Sequence, residues 1–255
     1  MAWPTGCAIV TIEHDQDASG AQRLAWQNTP STGAMLCDPR LGPPDPHLLD
    51  PASYGDRARP VDAGGRQAAW FVDGEGWQGV LRGYRRGGLA ARVSRDAYLW
   101  QGESRTRSFR EYRLLASMRA RGLKVPTPLA AAYWREGLTY RAAIIVERIP
   151  DVRPLAHLLE EPVWEPVATA IAAMHRQGVW HADLNAFNVL LDPQGQVWLI
   201  DFDRGTEGGV SDRQRRGNLL RLKRSLEKVG ADRGNALWGR IDQAYLACMR
   251  GMAKS

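Results

Sequence analysis

Three polar residues stand at intervals that suit one piece of chemistry. Asp183 lies in His181-Ala182-Asp183-Leu184-Asn185-Ala186-Phe187-Asn188, Asn188 follows it at the end of that run, and Asp201 sits within Val197-Trp198-Leu199-Ile200-Asp201-Phe202-Asp203. Phosphoryl transfer needs a carboxylate at the attacking hydroxyl and hard oxygen ligands for a Mg²⁺ that neutralises phosphate charge. In this reading Asp183 accepts or orients the hydroxyl proton. Asn188 lends its amide oxygen to the metal, and Asp201 lends a carboxylate that bridges metal and phosphates. A lone aspartate is usually a cap or a turn residue. An Asp-x₄-Asn turn followed by two β-prone runs and Ile-Asp-Phe-Asp is hard to explain as structure alone. His181 reads as a brace between this loop and the Asp-Phe-Asp segment.

Elements around the loop must hold these residues in place. Val163 to Gln177 has helical spacing through Val167, Ile171 and Met174, with Gly178 as its stop. Leu190 to Ile200 reads as a hairpin turning at Pro193-Gln194-Gly195. Leu219, Leu222, Leu226 and Val229 make the apolar stripe of another helix, and residues 236–250 form a last one. Upstream, RQAAWFV (66–72) and WQGVLRGY (77–84) flank Asp73-Gly74-Glu75-Gly76, which suggests a hairpin. Phe109, Tyr112, Leu115 and Met118 recur every three residues and predict a helix over Thr106 to Arg121, stopped by Gly122. A strand follows at Arg141 to Ile149, and Pro150 to Val152 breaks the chain. Residues 38–65 are rich in Pro, Asp and Gly and read as loop with one short helical turn. The stretch 1–60 is otherwise unexplained.

Composition sets outer bounds. The chain has 255 residues, 44% of them apolar, enough for one large domain or two small lobes. No run is long and apolar enough for a membrane span, and the N-terminus carries no secretory pattern. Three scattered cysteines fit a reducing cytoplasm better than a disulfide framework. The net charge of +6 points to an acidic partner only beside a site that handles phosphate.

The catalytic-loop block resembles that of the protein-kinase-like superfamily. More narrowly, the chain resembles the lipopolysaccharide core kinases that phosphorylate 3-deoxy-D-manno-octulosonic acid (Kdo). The residues that carry this are Leu81-Arg82-Gly83-Tyr84-Arg85-Arg86-Gly87-Gly88-Leu89, Asp96-Ala97-Tyr98-Leu99-Trp100, Arg105 to Leu115, His181 to Asn188, Trp198 to Gly205 and Asn218 to Leu226. The likeness covers roughly residues 60–228. It implies a two-lobe α+β fold: a small antiparallel-sheet lobe over 1–149, with an N-terminal extension to about 60, and a reduced helical lobe over 150–255. It places the nucleotide-gripping cation at Arg82, held by Glu111. The phosphate-covering loop falls at Gly64-Gly65, a weak signal because the full Gly-x-Gly-x-x-Gly is absent. The hinge that meets the adenine falls at Glu147-Arg148-Ile149. ATP and Mg²⁺ are the implied cofactors, and a Kdo-containing lipid A precursor is the implied acceptor, phosphorylated at O-4.

This sequence departs from that pattern in ways that matter. Arg82 stands where kinases carry lysine, yet its fork of donors can still grip phosphates. Asn185 stands where a lysine often meets the γ-phosphate, so another cation must serve; Arg204 and the arginines at 82–86 are candidates. Asp203 replaces a glycine. No Ala-Pro-Glu anchor follows, which favours a small or lipid-linked acceptor over a protein. Arg213, Arg215, Arg216, Arg221, Lys223, Arg224 and Lys228 could dock on an anionic inner-membrane surface, giving a cytoplasmic enzyme attached peripherally to that membrane. Two rivals stay open: a phosphotransferase acting on another core sugar such as heptose or on an aminoglycoside, and a basic nucleic-acid-binding relic. Against the second, the spacings of nucleic-acid-binding motifs are missing, so no nucleic-acid partner is expected. Oligomeric state is not legible.

Overall fold

The computed structural model describes residues 11–27, 31–61, 69–84 and 96–250. The chain forms two compact units, Met1–Ala116 with Thr127–Arg148, and Ser117–Pro126 with Ile149–Ser255.

The first unit is built on one antiparallel sheet. Its strands, in chain order, are β1 (Thr11–Gln16), β2 (Gln22–Gln27), β3 (Ser31–Cys37), β4 (Ala58–Pro60), β5 (Ala69–Asp73), β6 (Gln78–Gly83), β7 (Tyr98–Leu99), β8 (Pro128–Glu136) and β9 (Thr139–Glu147). The spatial order is β1-β2-β3-β8-β9-β6-β5-β4, with β7 also paired to β9. The expected hairpin forms as β5 and β6, Asp73 opposite Gln78. Gly76 takes φ +76° at its turn, a conformation that glycine adopts without strain. Pro60 lies in β4 at the sheet edge, where a missing N–H costs no ladder bond. The strand expected at 141–149 is β9, shifted two residues towards the N-terminus.

Two parts of this unit exceed the sequence reading. The unexplained N-terminal stretch supplies β1–β3, and β3 joins the sheet against β8 with Ala34 opposite Tyr133. Residues 38–57 are also more ordered than a loop with one turn. Asp38, Asp45 and Asp50 each precede a proline and accept the N–H two residues on, from Arg40, His47 and Ala52 at 2.9, 2.9 and 3.0 Å. An aspartate cap with proline at the first helical position starts a short 3₁₀ turn at each.

Helix α1 (Arg107–Ala120) buries Phe109, Tyr112, Leu115 and Met118, the predicted stripe. Gly122 ends it at φ +81°, and the Leu123 N–H reaches back to the Met118 carbonyl.

The second unit contains α2 (Trp164–Arg176), a three-stranded sheet of β10 (Arg153–Pro154), β11 (Val189–Leu191) and β12 (Val197–Leu199), and α3 (Asp212–Arg250). Val167, Ile171 and Met174 of α2 are fully buried, as are Leu222, Leu226 and Ile241 of α3. Helix α3 breaks at Gly230–Ala231, where Ala231 has φ +42°. The two helices read from the sequence are therefore the two sides of this break. Val229, beside it, is 38% exposed and leaves the stripe. Among the described residues, no helix is long and apolar enough to cross a membrane.

Candidate active site

The loop from His181 to Asn188 connects α2 to β11 and is stitched to its surroundings by side chains. His181 is completely buried. Its Nδ1 accepts the Asp183 N–H at 3.0 Å, and its Nε2–H donates to the Ile200 carbonyl at 2.9 Å. Those two bonds demand one neutral tautomer. Burial pushes the imidazole below its ordinary pKa, against the pull of the Ile200 bond and of Asp201 and Asp183. His181 is thus a brace between the loop and the Asp201 turn, its ring 4.6 Å from that of Phe202.

Asn188 closes the loop. Its Nδ2 donates to the Asp183 carbonyl at 2.9 Å, and its own carbonyl accepts the Ile200 N–H at 3.1 Å. Asn185 tightens the turn between them, its Oδ1 accepting from the N–H groups of Phe187 and Asn188 at 2.8 and 3.2 Å. Asp201 sits just past β12 at φ +63°, a left-handed conformation that aspartate tolerates better than most residues. Asp183, Asn188 and the backbone of Ile200, immediately before Asp201, are therefore held by one hydrogen-bonded frame.

These donors suit a hard cation. Asn188 is 9% exposed, and no bond among the described residues uses its Oδ1. Among the described residues no three His, Cys, Asp or Glu side chains could hold a metal by themselves. An amide and a carboxylate oxygen are a partial set of the kind Mg²⁺ accepts when phosphate oxygens and waters complete its shell.

The first unit carries a second cluster. Arg82 on β6 donates through Nη2 to Glu111 Oε1 on α1 at 2.5 Å, and the Tyr84 hydroxyl donates to Glu111 Oε2 at 2.6 Å. Glu111 is 3% exposed. Burial, then the neighbouring Glu111 charge, drives the Tyr84 phenol well above its ordinary pKa, so it stays a donor. Glu147 ends β9, its N–H bonded to the Thr127 carbonyl at 2.7 Å. Arg148 donates its N–H to Gln78 and lies with its guanidinium 4.2 Å from the Phe71 ring centre. Ile149 follows, half-buried, at the start of the second unit's main segment. Gly64, Gly65, Arg85 and Arg86 lie outside the described residues.

One neighbour of the loop was placed elsewhere by the sequence reading. Arg221, counted there among docking residues, donates from α3 to Asp183 Oδ1 at 3.2 Å. Arg204 is exposed on the turn after Asp201. The signal for Arg221 lay in its helical spacing to Asn218 and Ser225. Arg215 and Arg216 pair with Asp212 and Asp242 at 2.9 and 2.6 Å, so part of the expected docking charge is compensated.

Behind the loop runs a buried relay. The Tyr245 hydroxyl meets His175 Nδ1 at 2.8 Å, and His175 Nε2 meets Asn218 Oδ1 at 3.0 Å. Asn218 Nδ2 then donates to the His181 carbonyl. Burial lowers the His175 pKa to about 4, from an ordinary 6.5, despite the Asn218 bond. The unfolded chain takes up this proton first as pH falls. Stability is complete above pH 6.5 and is lost as pH drops towards 4, by roughly 3 kcal/mol for a shift of this size. Urea titrations at pH 7.5 and 5 should show this loss. His175→Gln should be less stable than the parent at pH 7.5, and its deficit should shrink at pH 5. A deficit equal at both pH values would contradict it.

The model of the lipopolysaccharide kinase (Kdo/WaaP) family matches residues 52–245. A 3-deoxy-D-manno-octulosonic acid kinase of Xanthomonas axonopodis pv. citri (strain 306) is 53% identical over 218 residues, covering 84% of this chain and 86% of that protein. The kinase of the same name from Xylella fastidiosa (strain M12) is 48% identical over 229 residues, covering 86% of this chain and 92% of that one. The antiparallel sheet with α1 and the helical second unit agree with the expected protein-kinase-like α+β fold. On the extent of the family match and these identities, the chain belongs to the lipopolysaccharide kinase (Kdo/WaaP) family.

Proposed function

We propose that this chain transfers the γ-phosphoryl group of ATP to the 4-hydroxyl of Kdo in a Kdo-lipid A precursor, during assembly of the lipopolysaccharide inner core. The observation that carries this reading is the frame in which His181 and the Asn188 side chain tie the Asp183 loop to Ile200, the residue before Asp201. The names of the similar enzymes support the acceptor. In this reading residues 1–149 form the nucleotide lobe and 150–255 the catalytic lobe.

Asp183 orients the acceptor hydroxyl and receives its proton as the bond to phosphorus forms and ADP leaves. Asn188 and Asp201 would hold Mg²⁺, which neutralises phosphate charge when bound. Arg82, fixed in rotamer by Glu111, grips the α- and β-phosphates, while Glu147 and Ile149 offer backbone groups to the adenine edge. Gly64 and Gly65 offer N–H groups to phosphate. Most of the acceleration then comes from positioning and electrostatics.

The acceptor is a lipid-linked anion, and the chain's net charge is +6. Exposed Arg213, Arg224 and Lys228 on α3 suit peripheral attachment to the anionic cytoplasmic face of the inner membrane.

The test is labelled transfer from ATP to Kdo-lipid A, heptosylated lipid A lacking a free Kdo 4-hydroxyl, and kanamycin, each at equal concentration. The first should be labelled at O-4, and the others at least about 10⁴-fold more slowly, the scale expected when a site built to hydrogen-bond one hydroxyl meets a substrate without it. Vesicles carrying the first acceptor should float the protein at low salt. Preferential labelling of another acceptor would reject the Kdo assignment, and protein left at the bottom of the gradient would reject the membrane surface.

A further inference from the structure

We propose that Arg221 is the cation that takes over, from across the fold, the place a catalytic-loop lysine fills in related folds: it positions the Asp183 carboxylate and supplies positive charge beside it. The inference rests on the reading of Asp183 as the residue that meets the acceptor hydroxyl.

The catalytic loop contains no lysine or arginine between His181 and Asn188. Asn185, at the position in question, is consumed by the loop itself. Its Oδ1 takes two backbone N–H groups, and its Nδ2 donates to the Asp183 carbonyl and to Asp183 Oδ2, both at 3.2 Å. A neutral amide so engaged orients one carboxylate oxygen but brings no charge. The other oxygen, Oδ1, is held by Arg221 Nη1 at 3.2 Å. The two oxygens thus have one neutral and one cationic partner, and together these fix the plane of the carboxylate.

Arg221 does not reach this place as a wandering surface side chain. It sits between two anchors on the same face of α3. Three residues before it, Asn218 is 2% exposed and bonds both the carbonyl and, at 3.4 Å, the N–H of His181. Four residues after it, the Ser225 hydroxyl accepts the Ala186 N–H at 3.1 Å. Residues three and four apart share a helix face. Asn218, Arg221 and Ser225 therefore grip His181, Asp183 and Ala186 in matching order along the loop. Leu222, fully buried, seats that face of the helix. The face of α3 that holds the loop thus also places the guanidinium beside Asp183. The Arg221 side chain keeps 47% of its exposure, which leaves donors of its fork for an incoming anionic group.

Because both partners are about half exposed, the pair itself adds little to stability. That separates a functional from a structural role. Arg221→Ala should melt like the parent yet lose about 10²-fold in turnover, the scale expected when one donor to a developing charge is removed. The KM for ATP should change by less than about 3-fold, because the interaction serves the reacting end. Arg221→Lys should recover part of the loss. Guanidinium ion added at millimolar concentration should raise the Arg221→Ala rate and leave the parent unchanged. Arg233→Ala, which removes a surface charge of the same helix paired to Glu160 at 3.0 Å, should behave as the parent.

Transfer to Kdo-lipid A and ATP hydrolysis without acceptor are measured side by side, with Asp183→Ala as reference. If Asp183→Ala is fully active, the reading of Asp183 fails. If it is inactive while Arg221→Ala keeps the parent rate, or loses it without guanidinium rescue, the inference about Arg221 is overturned and the function stands. If Kdo-lipid A is not labelled, the same comparison is made on hydrolysis.

Discussion

Asp183→Ala should reduce phosphate transfer by about 10³-fold or more while the protein stays folded. A positioned acid–base group contributes about 10²–10⁴-fold to a rate, and in phosphoryl transfer the same carboxylate also aligns the nucleophile. The fold should not suffer, because the Asp183 side chain is 53% exposed and its bonds to Arg221 and Asn185 lie at the surface. The loop's shape depends instead on the Asp183 backbone, whose N–H is taken by His181 and whose carbonyl is taken by Asn188. Alanine keeps both. The measurements are initial rates of labelled transfer and a thermal melt. A variant within 10-fold of the parent would remove Asp183 from the mechanism. A variant that no longer melts cooperatively would show that the loop needs the carboxylate for folding. Asp183→Asn is the sharper companion, since it keeps the size and one of the two accepting oxygens while removing the charge.

Glu111→Ala should have the largest effect on stability, about 3–5 kcal/mol, the usual result of breaking a buried ion pair from one side. Glu111 is 3% exposed, and its two oxygens serve Arg82 and the buried Tyr84 hydroxyl. The substitution removes the acceptor that both share, inside a region with little water to replace it. Urea unfolding should show a lower midpoint with an unchanged slope. A midpoint shifted by less than the equivalent of about 1 kcal/mol would mean that other partners of Arg82 and Tyr84 carry the cluster. Glu111→Gln separates the roles. It retains one acceptor, so it should unfold later than the alanine variant. With the Arg82 rotamer no longer fixed by charge, its KM for ATP should rise more than its kcat falls.

Much of the site was legible because its residues are close in sequence. The His181–Asn188 loop and the Asp201 turn are joined by one short hairpin, so spacing alone reports proximity. The Arg82–Glu111 pair was expected from resemblance rather than from pattern, since a strand arginine and a helix glutamate are ordinary residues until folding brings them together. Helix α1 was legible because one face is buried and the other is not, which writes a three-to-four residue period into the chain. Strand β8 was not. Seven successive residues, Pro128 to Trp134, are buried, so no alternation marks the strand. Its three alanines also carry no β preference. The three Asp-Pro turns had a readable signal in the aspartate caps, which the general label of a Pro-rich loop concealed.

The amino-acid sequence by itself determined the chemistry that this protein can offer: carboxylate, amide and carboxylate at fixed intervals, on a loop and a strand end. Side-chain type and short-range spacing are properties of the covalent chain, and turns of this length leave few ways to arrange them. Only the tertiary structure decided which charge stands beside Asp183. Arg221 is far from that residue along the chain, and nothing local selects it from the neighbouring arginines of α3. The selection comes from packing: Leu222 buries one face of the helix, Asn218 and Ser225 bind the loop, and the side chain between them then faces Asp183.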